Sequence, residues 1–140
     1  MEDFRTQLTA CIDAILAEGS TPVFLVVDLE GMAQIKRTYD LEALDRFRAA
    51  ACDAVSSAGG GCDVFSYGEE RIIAVLSGVD RLKSFSIADK LRRGLPLLGQ
   101  SFDAILHVEF DFIDYDPATG VAGLINQLVH QQKQKHEDVA

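Results

Sequence analysis

The chain has no uninterrupted apolar run approaching the eighteen or so residues that a membrane helix requires, so no membrane association is expected. Its first residues, MEDFRTQLTACIDAIL, lack the basic and then purely apolar layout of a signal peptide, which makes a cytoplasmic location the expectation. Cysteine is scarce. Cys11, Cys52 and Cys62 form no CxxC or Cys/His pair of metal-binding spacing, and an odd number makes a poor disulfide framework. Buried free thiols are the expected state. Basic residues are also few: 13 Lys and Arg against 22 Asp and Glu leave a formal charge of −9. Such a field repels a polyanion, and the short basic runs LRR (91–93) and KQK (133–135) read as solvated helix faces, so nucleic acid is not an expected partner.

The 140 residues, 48% of them hydrophobic, are enough for one globular domain spanning 1–140 with its own core. Phe4, Leu8, Cys11, Ile12, Ile15 and Leu16 repeat at helical spacing and Gly19 follows as a stop. The valine-rich run PVFLVVD (22–28) suits a central strand covered on both faces, with Asp28 emerging at its end. Leu44, Phe47, Ala51, Ala54 and Val55 mark a second helix, closed by the glycines of SSAGGG. CDVFSY and RIIAVLS then flank Gly68-Glu69-Glu70 as the two strands of a hairpin.

A third helix carries Leu82, Phe85, Ala88 and Leu91 on one side and is expected to close at RGLP, before Pro96. In ILHVEFDFIDY, Leu106, Val108, Phe110 and Phe112 alternate with His107, Glu109 and Asp111, one face core and the other wet. Val121, Leu124, Ile125, Leu128 and Val129 define a last short helix running into a polar tail, expected to fray from about residue 131. The order α, β, α, β, β, α, β, α predicts an α+β fold of ferredoxin-like type, a mostly antiparallel central sheet flanked by helices.

Two short stretches add a resemblance. VVDLEGMAQIKRTYD carries Asp28, Leu29, Glu30, Met32, Thr38 and Tyr39, and GEERI (68–72) precedes the strand IIAVL. In this pattern the chain resembles the GGDEF domains, nucleotide-cyclase-like proteins that include the diguanylate cyclases, which condense two GTP molecules into cyclic di-GMP. The resemblance runs from about Phe4 to Val129. It implies that Asp28 and Glu70 stand at metal-binding positions, that Gly68 is the first glycine of the signature turn, and that Asp45 is a guanine-contacting aspartate.

Departures from that pattern point to a degenerate signature made of Gly68, Glu69, Glu70, Arg71 and Ile72. Glu69 replaces the second glycine and Arg71 replaces a glutamate. Lys36 stands at the base-recognising asparagine, whose paired donor and acceptor an ammonium cannot supply, and Ala33 stands at a lysine. The family's product-inhibition arginine and aspartate would fall at Gly59 and Cys62, with Asp63 one place away. The glycine pair lets backbone N–H groups approach a triphosphate, and Glu69 puts a carboxylate there instead. At about 4 Å and a dielectric near 20, one such charge against one phosphate costs roughly 4 kcal/mol, about a thousandfold in affinity.

Asp28 and Glu70 therefore have two readings: hard ligands for a divalent cation together with the Leu29 carbonyl and Glu30, or an inherited pair of loop carboxylates. The second is preferred, because a guanidinium at Arg71 beside Glu70 is placed to pair with it and take the metal's place. His107, Glu109 and Asp111 lie about 7 Å apart in succession, too far to share one ion, and read as a wet sheet face. His130 and His136 belong to the polar tail. Arg92 and Arg93 suit either a phosphate or the solvated end of a helix.

The expected function is non-enzymatic: a regulatory or protein-interaction module in bacterial cyclic di-GMP-type signalling, with no catalytic residue and no cofactor, and with a protein partner or a second copy bound as a dimer. The alternative is a non-catalytic nucleotide sensor that holds GTP with magnesium through Asp28, Glu70, Asp45 and Gly68. An active cyclase is the third reading.

Overall fold

Apolar residues at helical spacing build α1 (Phe4–Ala17), which buries Leu8 and Ile12. The computed structural model describes residues 4–32, 35, 41–67, 70–102 and 104–128. The valine-rich run is β1 (Pro22–Glu30), and its side chains are buried toward both faces. Met32 and Ile35 follow as buried helical residues; the apolar periodicity marked neither as core, although Met32 belongs to the stretch that carries the resemblance. Next come α2 (Leu41–Ala58), β2 (Asp63–Ser66), β3 (Arg71–Ser77), α3 (Arg81–Gln100) and β4 (His107–Asp114). Residues 120–128 are helical. Ala33, Lys36, Thr38, Tyr39, Gly68, Glu69, Lys133, Lys135, His130, His136 and the tail from 131 lie outside the described residues. Among those described, no helix is long and apolar enough to cross a membrane.

The strands form one sheet in the order β2-β3-β1-β4, and every neighbouring pair is antiparallel. This is the expected α+β architecture. Because side chains alternate along a strand, β1 feeds two cores. Leu25, Val27 and Leu29 pack with Phe47, Ala51 and Val55 of α2 and with Leu91 and Leu95 of α3. Phe24 and Val26 pack on the other face with Leu8 and Ile12 of α1, with Ile73 and Val75 of β3, and with Leu124 and Leu128. On β4, Val108, Phe110 and Phe112 turn toward the first core while His107, Glu109 and Asp111 are exposed, as their alternation predicts.

The third helix differs from expectation in its rotation and its end. Asp80 caps it, accepting a 2.7 Å bond from the Lys83 N–H. It then buries Ile87, Ala88, Leu91, Leu95 and Gly99, leaving Leu82 and Phe85 out in solvent. It also runs through Pro96 to Gln100. Proline removes one backbone donor from a helix interior. Continuation is favoured here because it seats Gly99 against Leu106: an added Cβ at that glycine would lie 2.7 Å from Leu106 Cγ and 3.1 Å from the Ala104 carbonyl oxygen. Long-range packing overrides the local stop signal.

Candidate functional site

Asp28 is third from the end of β1, and Arg71 opens β3. Since the two strands run antiparallel, the end of one meets the start of the other, and the register pairs Asp28 directly with Arg71. The Arg71 Nε donates to Asp28 Oδ1 at 2.8 Å, and Arg71 Nη1 donates to the Leu128 carbonyl at 3.0 Å. The guanidinium is 7% exposed and the Asp28 side chain 19%. Arg71 is the one buried charged residue among those described. A planar fork of five donors suits this position, since it meets a carboxylate and a carbonyl at once.

The hairpin that delivers Arg71 is closed by the Tyr67 N–H, which donates to the Arg71 carbonyl at 2.9 Å. The Leu29 N–H donates to the Glu70 carbonyl at 2.7 Å, which ties Glu70 to the end of β1. Phe4 of α1 meets Phe65 edge to face and Tyr67 at a tilt, with centroids 5.7 and 5.3 Å away, and holds the hairpin against the helix.

The structure thus corrects one expectation: Arg71 pairs with Asp28, where the sequence reading assigned it to Glu70. The reason is alternation, because consecutive residues of an extended chain point to opposite sides, while cross-strand partners share one. The signal was present in the sequence. An acid closing one seven-residue apolar run and a base opening another meet if the runs pair antiparallel.

Asp45 is exposed on α2, the helix covering the opposite sheet face from Asp28, and its carboxylate lies 3.8 Å from Arg48. It is not brought to the Asp28–Arg71 pair. Gly68 and Glu69, which the resemblance places in a signature with Glu70, Arg71 and Ile72, lie outside the described residues. The donor set does not fit a divalent cation well, because the first of its two carboxylates already holds a guanidinium in direct contact. Among the described residues no group of three His, Cys, Asp or Glu side chains is arranged to bind a metal.

Other singled-out residues have structural partners. Arg92 lies over the Phe110 ring, 5.6 Å from its centroid, and Arg93 pairs with Asp89 at 3.2 Å. His107 Nε2 is 3.5 Å from Glu109 Oε1 on the exposed face. The cysteines are free, as expected, but half-buried where full burial was anticipated. Cys11 Sγ donates to Asp63 Oδ2 at 3.2 Å, and burial with the adjacent Asp63 charge pushes its thiol up to about 11. Gly59 packs tightly: a Cβ there would fall 2.5 Å from Cys62 Sγ, so the arginine of the family's inhibition site has no room without rearrangement.

No family model matches the chain, and no curated protein does. Solved structures do. The coiled coil and GGDEF domain of DgcB from Caulobacter crescentus, in complex with c-di-GMP, matches over 88% of this chain and 68% of its own, with a TM-score of 0.62 and 12% identity. An EAL/GGDEF domain protein from M. capsulatus matches over 84% and 81%, at 0.56 and 22% identity. The active GGEEF domain of a diguanylate cyclase from Vibrio cholerae matches over 77% and 72%, at 0.57 and 14% identity. The sheet order, the two helical layers and these likenesses agree: the chain has the fold of a GGDEF domain.

Proposed function

We propose that this chain is a catalytically inactive GGDEF-like domain that works as a regulatory or protein-interaction module in cyclic di-GMP-type signalling. The observation that carries this reading is the Arg71 guanidinium, nearly buried and 2.8 Å from Asp28. Joining two GTP molecules requires a divalent ion to stabilise charge at the α-phosphate and to activate the attacking hydroxyl. Asp28 is the carboxylate that the family pattern assigns to that ion. A cation tethered to the chain neutralises it instead, and a metal approaching the site meets a fixed positive charge. Displacing Arg71 would also strand the Leu128 carbonyl, so vacating the site costs packing as well as charge. Glu69 adds a second obstacle at the glycine position beside the phosphates. The cyclic di-GMP bound by solved neighbours supports the signalling context.

Incubation with GTP and magnesium followed by product analysis tests the proposal. No cyclic di-GMP is expected, and its appearance would overturn the reading. The nucleotide-sensor alternative predicts a higher melting temperature in millimolar GTP with magnesium, since a ligand of the folded state must stabilise it. The inactive-module reading predicts no shift. Replacing Glu69→Gly together with Arg71→Glu is expected to introduce a magnesium-dependent rise in melting temperature that the parent chain lacks.

A further inference from the structure

Six large apolar side chains are exposed among the described residues, and three of them, Leu82, Phe85 and Leu97, lie on α3. They are 83%, 70% and 63% exposed. At 3.6 residues per turn they share one side of the helix with Asp89, Arg93 and Pro96, opposite the buried Ile87, Leu91 and Leu95. Along the helix this side reads apolar, acid, base, apolar. Asp89 and Arg93 form its centre and pair at 3.2 Å.

That order is its own complement when reversed. We propose that this face docks a second copy of the chain, α3 against α3 in antiparallel about a two-fold axis level with Leu91. Residues equally far before and after Leu91 then stand opposite each other. Asp89 of each copy faces Arg93 of the other, so two ion pairs form reciprocally at the centre. Phe85 of each copy faces Leu97 and its neighbour Pro96, which covers the apolar ends. A net charge of −9 makes two copies repel over most of their surface. A face on which opposite charges meet in equal number is therefore where they can touch, and a closed two-fold pairing is the commonest form of self-association.

The contact is one helix wide, so the dimer is weak and concentration-dependent. This inference supplies a partner for the interaction role proposed above and rests on that reading. Its test reads only oligomeric state, so it can fail while the absence of turnover stands, and the reverse.

Sedimentation equilibrium from micromolar to millimolar protein is the measurement. The parent chain is expected to show a monomer–dimer equilibrium. Asp89→Arg and Arg93→Asp should each raise the dissociation constant about tenfold or more, because like charges then face each other across the axis. The two single variants mixed should form a heterodimer, and the double variant Asp89→Arg with Arg93→Asp should recover the parent dimer. Phe85→Ser should weaken the dimer and leave the melting temperature unchanged at dilutions where the parent chain is monomeric. A chain that stays monomeric throughout, or a dimer indifferent to both charge reversals, overturns the proposal and leaves the face to a different protein.

Discussion

Arg71 acts at two places, on the carboxylate of Asp28 and on the carbonyl of Leu128, and its removal is felt at both. Arg71→Ala is expected to destabilise the fold by about 3 kcal/mol, since it leaves a largely buried carboxylate without its cation. The double change Asp28→Leu with Arg71→Met should cost less than Arg71→Ala alone, because replacing both partners of a buried pair by apolar groups is often near neutral. Urea unfolding of Arg71→Ala, of the double variant and of its two component single variants Asp28→Leu and Arg71→Met checks this, and additive costs of the two singles would count against a coupled pair. A second residue-scale expectation concerns Cys11. Its thiol is raised from the usual value near 9 to about 11, first by burial and then by the bond and charge of Asp63. A raised thiol stays protonated through neutral pH, so its alkylation should be slow at pH 8 and accelerate toward pH 11. Asp63→Asn should speed the reaction at pH 8, as read by mass spectrometry after iodoacetamide. An unchanged rate would show that burial alone holds the proton.

At the scale of elements, two glycines set how the segment after α3 closes over the sheet. Gly31 has φ 109°, and a Cβ there would overlap the Ile105 carbonyl. Gly31→Ala is expected to cost about 2 kcal/mol or more, combining a left-handed backbone with a clash against main chain. Gly99→Ala meets Leu106 and the Ala104 carbonyl and should cost about 1–3 kcal/mol by overpacking. Differential scanning calorimetry on both variants tests the pair, and a neutral Gly99→Ala would mean that Leu106 moves aside freely. These elements also show what a linear pattern reveals. The apolar alternation of β4 and the continuous burial of β1 were legible, because period and composition are local properties. The rotation of α3 was not. Leu82, Phe85, Ala88 and Leu91 match helical spacing as well as Ile87, Leu91 and Leu95 do, and only contact with α2 and β4 selects between the two stripes.

For the whole molecule, the expectation is a folded GGDEF-type domain that neither turns over GTP nor gains stability from it. In a thermal-shift titration, millimolar GTP with magnesium should leave the melting temperature unchanged. A rise of several degrees would favour the nucleotide-sensor reading. The candidate site divides the same way as the fold. The identities of Glu69 and Arg71, the order of the elements and the acidic balance are written in the chain itself, since each depends on residue identity and near-neighbour spacing. That Arg71 meets Asp28, 43 residues away, and reaches Leu128 as well was settled by tertiary structure. Register between strands distant in sequence, and the side a helix turns inward, are chosen by burial across the whole core, and no local period carries that information.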